Sequence, residues 1–146
     1  MNIPSSIELI RKSRSLYLGK EEPTGRVLAI RLADCALISG ARRVELLVLT
    51  DGWVGVSSDS DWITPDVPHR QKDFSFERAF KAMIPLRGGQ QNEVRFEVIV
   101  AAFSRDLSVK SGARWLTLEG DAPPPEIRNH VAKDEFAVVF RAEFDS

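Results

Sequence analysis

The sequence predicts an α+β fold, a two-layer sandwich with helices on one face of a mostly antiparallel sheet, and three observations carry that expectation. Thr24 precedes a stretch in which Val27, Ile30, Ala33, Leu37 and Ile38 recur at helical spacing up to Gly40. Two pairs of short apolar runs flank the turn dipeptides Asp51-Gly52 and Ser111-Gly112, as the strands of hairpins do. Finally, Phe136, Val138, Phe140, Ala142 and Phe144 alternate with other residues, the period of a strand with one buried face.

Taken in order, Ser5-Ser6-Ile7-Glu8 holds a Ser-x-x-Glu capping arrangement, which predicts a short helix running to about Arg14. The Thr24 helix follows. Val44, Leu46 and Val48 then lead through Asp51-Gly52 to Trp53-Val54-Gly55-Val56, the first hairpin. Residues 57–73 are polar and hold Pro65, Pro68 and His69, so they read as a surface loop. Phe76, Ala79, Phe80 and Met83 form one helical stripe that Pro85 closes. Val94 to Phe103 is ambiguous: its β-branched residues suit a buried strand, yet Asn92 and Glu93 suit a helix start. Leu107 to Val109 and Trp115 to Leu118 form the second hairpin, and a short helix over 126–132 follows the proline run at 123–125.

With 146 residues, 43% hydrophobic and 28% charged, the chain reads as one domain of ordinary size. Its formal charge of -1 supplies no overall pull toward nucleic acid or anionic lipid. A lone cysteine, Cys35, makes neither an internal disulfide nor a zinc cage. No apolar run approaches the roughly 20 residues of a membrane span, and the opening Met1-Asn2-Ile3-Pro4 lacks a secretion-signal pattern. The expectation is a cytoplasmic protein.

Several local matches resemble a known family. Ile10-Arg11-Lys12-Ser13-Arg14-Ser15-Leu16-Tyr17-Leu18-Gly19 looks like the entry "VRKRPGMYIG" of the gyrase B and topoisomerase IV ATPase domain, with Thr24-Gly25 at its "GTG". That domain belongs to the wider group of gyrase, heat-shock-90, histidine-kinase and mismatch-repair ATPases. Leu32-Ala33-Asp34-Cys35-Ala36-Leu37 is similar to "VVDNAID", and Ser58 to Pro65 falls where the family has "DDGRGIP". Phe76 to Met83 with Gly88-Gly89 resembles the helix ending at "GGK", and Glu97 to Ser104 resembles "VSVVNALS". The last of these is a helix in the family, so the resemblance implies helix for the ambiguous segment. Overall it implies a Bergerat-like ATPase fold.

The same resemblance argues against ATP hydrolysis. The family's catalytic glutamate matches Arg31, and its magnesium-holding asparagine matches Cys35. Arginine stays protonated and cannot act as general base, while a thiol is a poor ligand for a hard cation. Asp34, the neighbour that survives, pairs readily with Arg31 at i, i+3. The adenine-reading aspartate matches Ser58, with Asp59 one residue away, and a glycine needed for close approach of the base matches Trp62. The lid lysine matches Gln90, and the last strand's threonine matches Phe136. The remnant pocket thus comprises Arg31, Asp34, Cys35, Ser58, Asp59 and Trp62, with no catalytic residue, metal site or cofactor expected.

Other candidates have plain readings. Asp51, Asp59, Asp61, Asp66 and His69 form a polar stretch whose carboxylates and imidazole suit metal or proton exchange, but it reads first as a solvated loop with turn-forming aspartates. His130 reads as a surface histidine, and Arg11, Lys12, Arg14 and Lys20 as part of a mixed surface with Glu8, Glu21 and Glu22. The function expected is a catalytically inactive ATPase-fold protein acting as a binding or protein-interaction module. Its partner is expected to be a protein, with a homodimer one form; no membrane is expected, and a protein is favoured over nucleic acid. The alternative is a nucleotide-binding protein or ATPase with a pocket remodelled around Asp34, Asp59 and Asp61.

Overall fold

A computed structural model describes residues 10–12, 24–63, 80, 97–131 and 135–143. In it, helix α1 spans Gly25–Ile38. The Thr24 hydroxyl accepts the Val27 amide at 3.3 Å, the N-cap bond that its position predicts. At the other end the Ala41 amide returns to the Ala36 carbonyl at 3.0 Å, satisfying a last-turn carbonyl where the helix stops. The buried stripe is Leu28, Leu32 and Ala36, with Ala29 and Ala33. Ile30, Leu37 and Ile38, which the periodicity assigns to the packed face, are about half exposed. Apolar residues therefore line two faces of α1, and only one of these is packed.

Strands β1 (Val44–Val48) and β2 (Trp53–Ser58) pair antiparallel, with Leu46 opposite Val56. A 3-10 turn, Thr50–Gly52, joins them, and both Asp51 and Gly52 have positive φ, 57° and 80°. This is the backbone conformation that Asp-Gly supplies in tight hairpins. β2 runs two residues further than its apolar pattern, through Ser57 and Ser58. Trp62 and Ile63, expected on a surface loop, are buried. Large apolar side chains within reach of the core go inside whatever the polarity of their neighbours. Positions 64–73 lie outside the described residues.

The ambiguous segment is helical: α2 spans Glu97–Ala102. The Ser104 hydroxyl donates to the Val100 carbonyl at 2.6 Å, tying the end of α2 to strand β3, Ser104–Ser111. β3 pairs with β4, Arg114–Glu119, as the second hairpin. Helix α3, Pro125–Asn129, opens on its proline, where the missing amide costs nothing. β5 spans Phe136–Ala142. Of the two other expected helices, residues 10–12 and Phe80 are helical, and their remaining positions lie outside the described residues.

The sheet is entirely antiparallel, in the order β1-β2-β5-β3-β4. The last strand of the chain sits in the middle, between the two hairpins. One sheet face, carrying Val54, Val56, Leu107, Val109, Val138 and Phe140, packs under α1 and α2. The other face gathers Trp53, Ala137 and Val139 around Ile127 and Val131. This second cluster corrects the expectation of helices on a single face: α3 packs on the side opposite α1 and α2. Its Ile127 is 1% exposed, because the alternate residues of β5 are apolar too and need a cover. Among the described residues, no helix is long and apolar enough to cross a membrane.

Candidate functional site

The six residues of the expected pocket fall into two groups. Arg31, Asp34 and Cys35 lie on α1, where Asp34 is exposed, Arg31 half-buried, and Cys35 packs at the margin of the core. Ser58, Asp59 and Trp62 lie at the end of β2 and just beyond it. The Ser58 side chain is fully buried, and its hydroxyl donates to the Ser60 carbonyl while accepting the Ser60 amide at 3.2 Å. Trp62 is 1% exposed and meets Phe136 edge to face, with ring centroids 4.8 Å apart. The indole Nε1 finds no acceptor among the described residues.

Asp59 faces outward and accepts the Arg43 amide at 3.1 Å and the Arg42 amide at 3.2 Å. The Arg43 amide, helped by the Arg42 amide and the Arg43 charge, holds this carboxyl below the ordinary value of 3.8 against a smaller desolvation. Its role is to pin the start of β1, which explains why it sits beside Ser58 without sharing its burial. The polar stretch does not assemble. Asp51 lies in the hairpin turn at one end of β2, and Asp59 and Asp61 lie at the other, roughly 20 Å away for a strand of this length. Asp61 accepts the Ile63 amide at 2.8 Å, a turn-forming bond. Among the described residues no three His, Cys, Asp or Glu side chains are placed to hold a metal. Asp66, His69 and Gln90 lie outside them.

A polar cluster that sequence reasoning did not find sits on the sheet near the β5 end. Asp106 is 2% exposed and takes the Arg141 Nε at 2.7 Å and the Asp121 amide at 2.8 Å. The Arg105 Nε lies 3.6 Å from the same carboxylate. A bulge positions it: β3 pairs Ser104 with Ala142 and Asp106 with Arg141, so Arg105 is the extra residue. The Arg141 guanidinium also lies 5.3 Å from the centre of the buried Trp53 ring. The sequence places Arg141 on one strand face with the apolar Ala137 and Val139; only the cover of that face by α3 makes its charge one that needs a partner. That the partner is 35 residues away is not legible in the sequence.

Burial pushes the Asp106 carboxyl up, but the Asp121 amide, the Arg141 bond and the two guanidinium charges outweigh it, leaving it below 3.8. A carboxyl depressed in the folded state stabilises the fold above that ordinary value, and the contribution is lost as pH falls through the folded value. Urea midpoints are expected to hold steady down to about pH 5 and to drop below about pH 4. Asp106→Asn is expected to flatten the drop. Parallel acid profiles for variant and wild type would show that Asp106 is not responsible.

One concavity borders this cluster, and a larger one lies elsewhere on the sheet. The smaller, of about 220 Å³, lies between the start of α1, the β1–β2 turn and the end of β5, and Arg26, Arg105, Arg141, Trp53 and Asp51 line it. The larger, of about 920 Å³, lies between the second hairpin and α3, lined by Lys110, Trp115, Arg128 and Asn129. The Lys110 ammonium there already donates to the Glu135 carbonyl at 2.9 Å. No protein-family model matches this chain, and no curated protein matches it either.

Proposed function

We propose that this protein is a non-catalytic binding module, built on a gyrase-B-like ATPase scaffold whose nucleotide pocket has been filled. The observation that carries the reading is the burial of Trp62 against Phe136. Both occupy positions that the family resemblance assigns to nucleotide contact. Arginine and cysteine at the two matched catalytic positions support it, since neither supplies a general base or a hard-cation ligand. The helical state of 97–102 supports it as well, because the resemblance requires a helix there.

An interaction role is supported by the outer edge of the sheet. β1 is an edge strand among the described residues. Leu46 and Val48 on it, with Ile30 and Leu37 on the neighbouring helix, are each at least half exposed. A strand with one open edge, bordered by apolar side chains, is a surface for adding a partner's strand or helix. The partner is a protein, whether another chain or a second copy of this one.

Thermal denaturation tests the loss of nucleotide binding. The melting temperature with millimolar ATP and Mg²⁺ is expected to equal that with tripolyphosphate and Mg²⁺, and no phosphate release is expected. Binding of the adenosine part at 100 times its dissociation constant adds about 2.7 kcal/mol. An ATP-specific rise of that size, or steady hydrolysis, overturns the reading and favours the remodelled pocket around Asp34, Asp59 and Asp61.

A further inference from the structure

We propose that the cavity of about 220 Å³ beside the first hairpin turn is a binding site for a phosphate monoester group. Three arginines from three separate elements line it: Arg26 at the start of α1, Arg105 at the β3 bulge and Arg141 near the end of β5. Like charges brought together by folding repel, so their convergence calls for counter-charge. Asp106 supplies part of it from beneath, binding Arg141 through Nε and lying 3.6 Å from Arg105. That bond orients the Arg141 fork while leaving its terminal nitrogens for another acceptor. Trp53 backs the same guanidinium, with its ring centre 5.3 Å away. Arg141 is thus held by Asp106 and Trp53 before any ligand arrives.

Arg26 and Arg105 are exposed, and among the described residues Arg26 has no carboxylate partner. The cavity is smaller than the roughly 300 Å³ at which drug-sized sites begin. It therefore suits a headgroup rather than a whole cofactor. A phosphate monoester carries about -1.5 to -2 charge and three acceptor oxygens, which matches donors arriving from three directions better than a planar carboxylate does. Asp51 is the carboxylate of the lining. It opposes the anion and tunes the affinity downward. The site lies at the opposite end of β2 from Ser58 and Trp62, so it stands or falls independently of the nucleotide-pocket reading.

Isothermal titration at constant ionic strength tests the site on the full chain. Glycerol phosphate and a short phosphoserine peptide separate the two sources of the group, and inorganic phosphate serves as the minimal probe. Saturable 1:1 binding is expected, with a dissociation constant at or below about 1 mM for the better of the two esters. Arg26→Gln and Arg105→Gln are expected to weaken it at least about 5-fold each; Arg26→Gln does so without lowering the melting temperature of the ligand-free protein, whereas Arg105→Gln also removes a charge 3.6 Å from Asp106. Asp51→Asn is expected to tighten it about 2-fold or more. Arg141→Gln is expected to abolish binding, but since it also breaks the Asp106 pair, the two exposed arginines decide the matter. Non-saturating heats, or binding that neither Arg26→Gln nor Arg105→Gln changes, overturns the proposal.

Discussion

Gly120→Ala is expected to destabilise the protein by about 3–5 kcal/mol, the range for breaking a buried ion pair, whereas Gly112→Ala is expected to cost only about 1 kcal/mol. The two glycines have nearly the same left-handed backbone, φ 61° and 60°. A β-carbon at Gly112 meets nothing within 4 Å, so the conformational term stands alone there. At Gly120 the same carbon would run into the Asp106 carboxylate and the Arg105 carbonyl. Either the carboxylate gives way and leaves Arg141 without its partner, or the turn moves and the Asp121 amide lets go. Urea denaturation of the two variants side by side separates the terms. Equal losses would mean that the turn yields freely and that the Asp106 cluster is not tightly built.

Trp62→Ala is expected to cost about 3–5 kcal/mol, the loss seen when a large buried aromatic is truncated. Trp62→Phe should cost far less. The phenyl ring keeps much of the contact with Phe136, and the substitution removes a buried indole N–H that has no acceptor among the described residues. Trp62→Ala leaves a mainly apolar void, of the kind that stays dry and takes up small aromatic molecules. Added indole is therefore expected to raise the melting temperature of the alanine variant and to leave that of the wild type unchanged. A phenylalanine variant as unstable as the alanine one would show that the indole nitrogen is bonded in solution. Failure of indole to rescue would show that the site collapses instead of standing open.

These two sites differ in how far the sequence announced them. Trp62 stands out in the sequence because a bulky ring lies where the resembled family has glycine, yet the surrounding residues 57–73 read as a surface loop. Burial of Trp62 and Ile63 depends on the core nearby, which local polarity does not register. The Asp106 cluster was missed altogether. Its members lie in β3, β5 and the turn after β4, and a bulge shifts the alternation just where the charge turns inward.

What the sequence determined by itself is what neighbours in the chain can settle. The Thr24 cap, the Asp51-Gly52 turn, the second hairpin and the alternation of β5 each need only a few adjacent residues, since caps, turns and strand periods are short-range effects. Tertiary structure alone decided the rest. It placed β5 between the hairpins, chose which apolar face of α1 to bury, set α3 on the far side of the sheet, and joined Asp106 to Arg141. Each of those outcomes depends on surfaces and charges brought together across tens of residues. Such encounters leave no periodic mark along the chain, because only the burial of apolar area and the pairing of charge in the finished fold select among them.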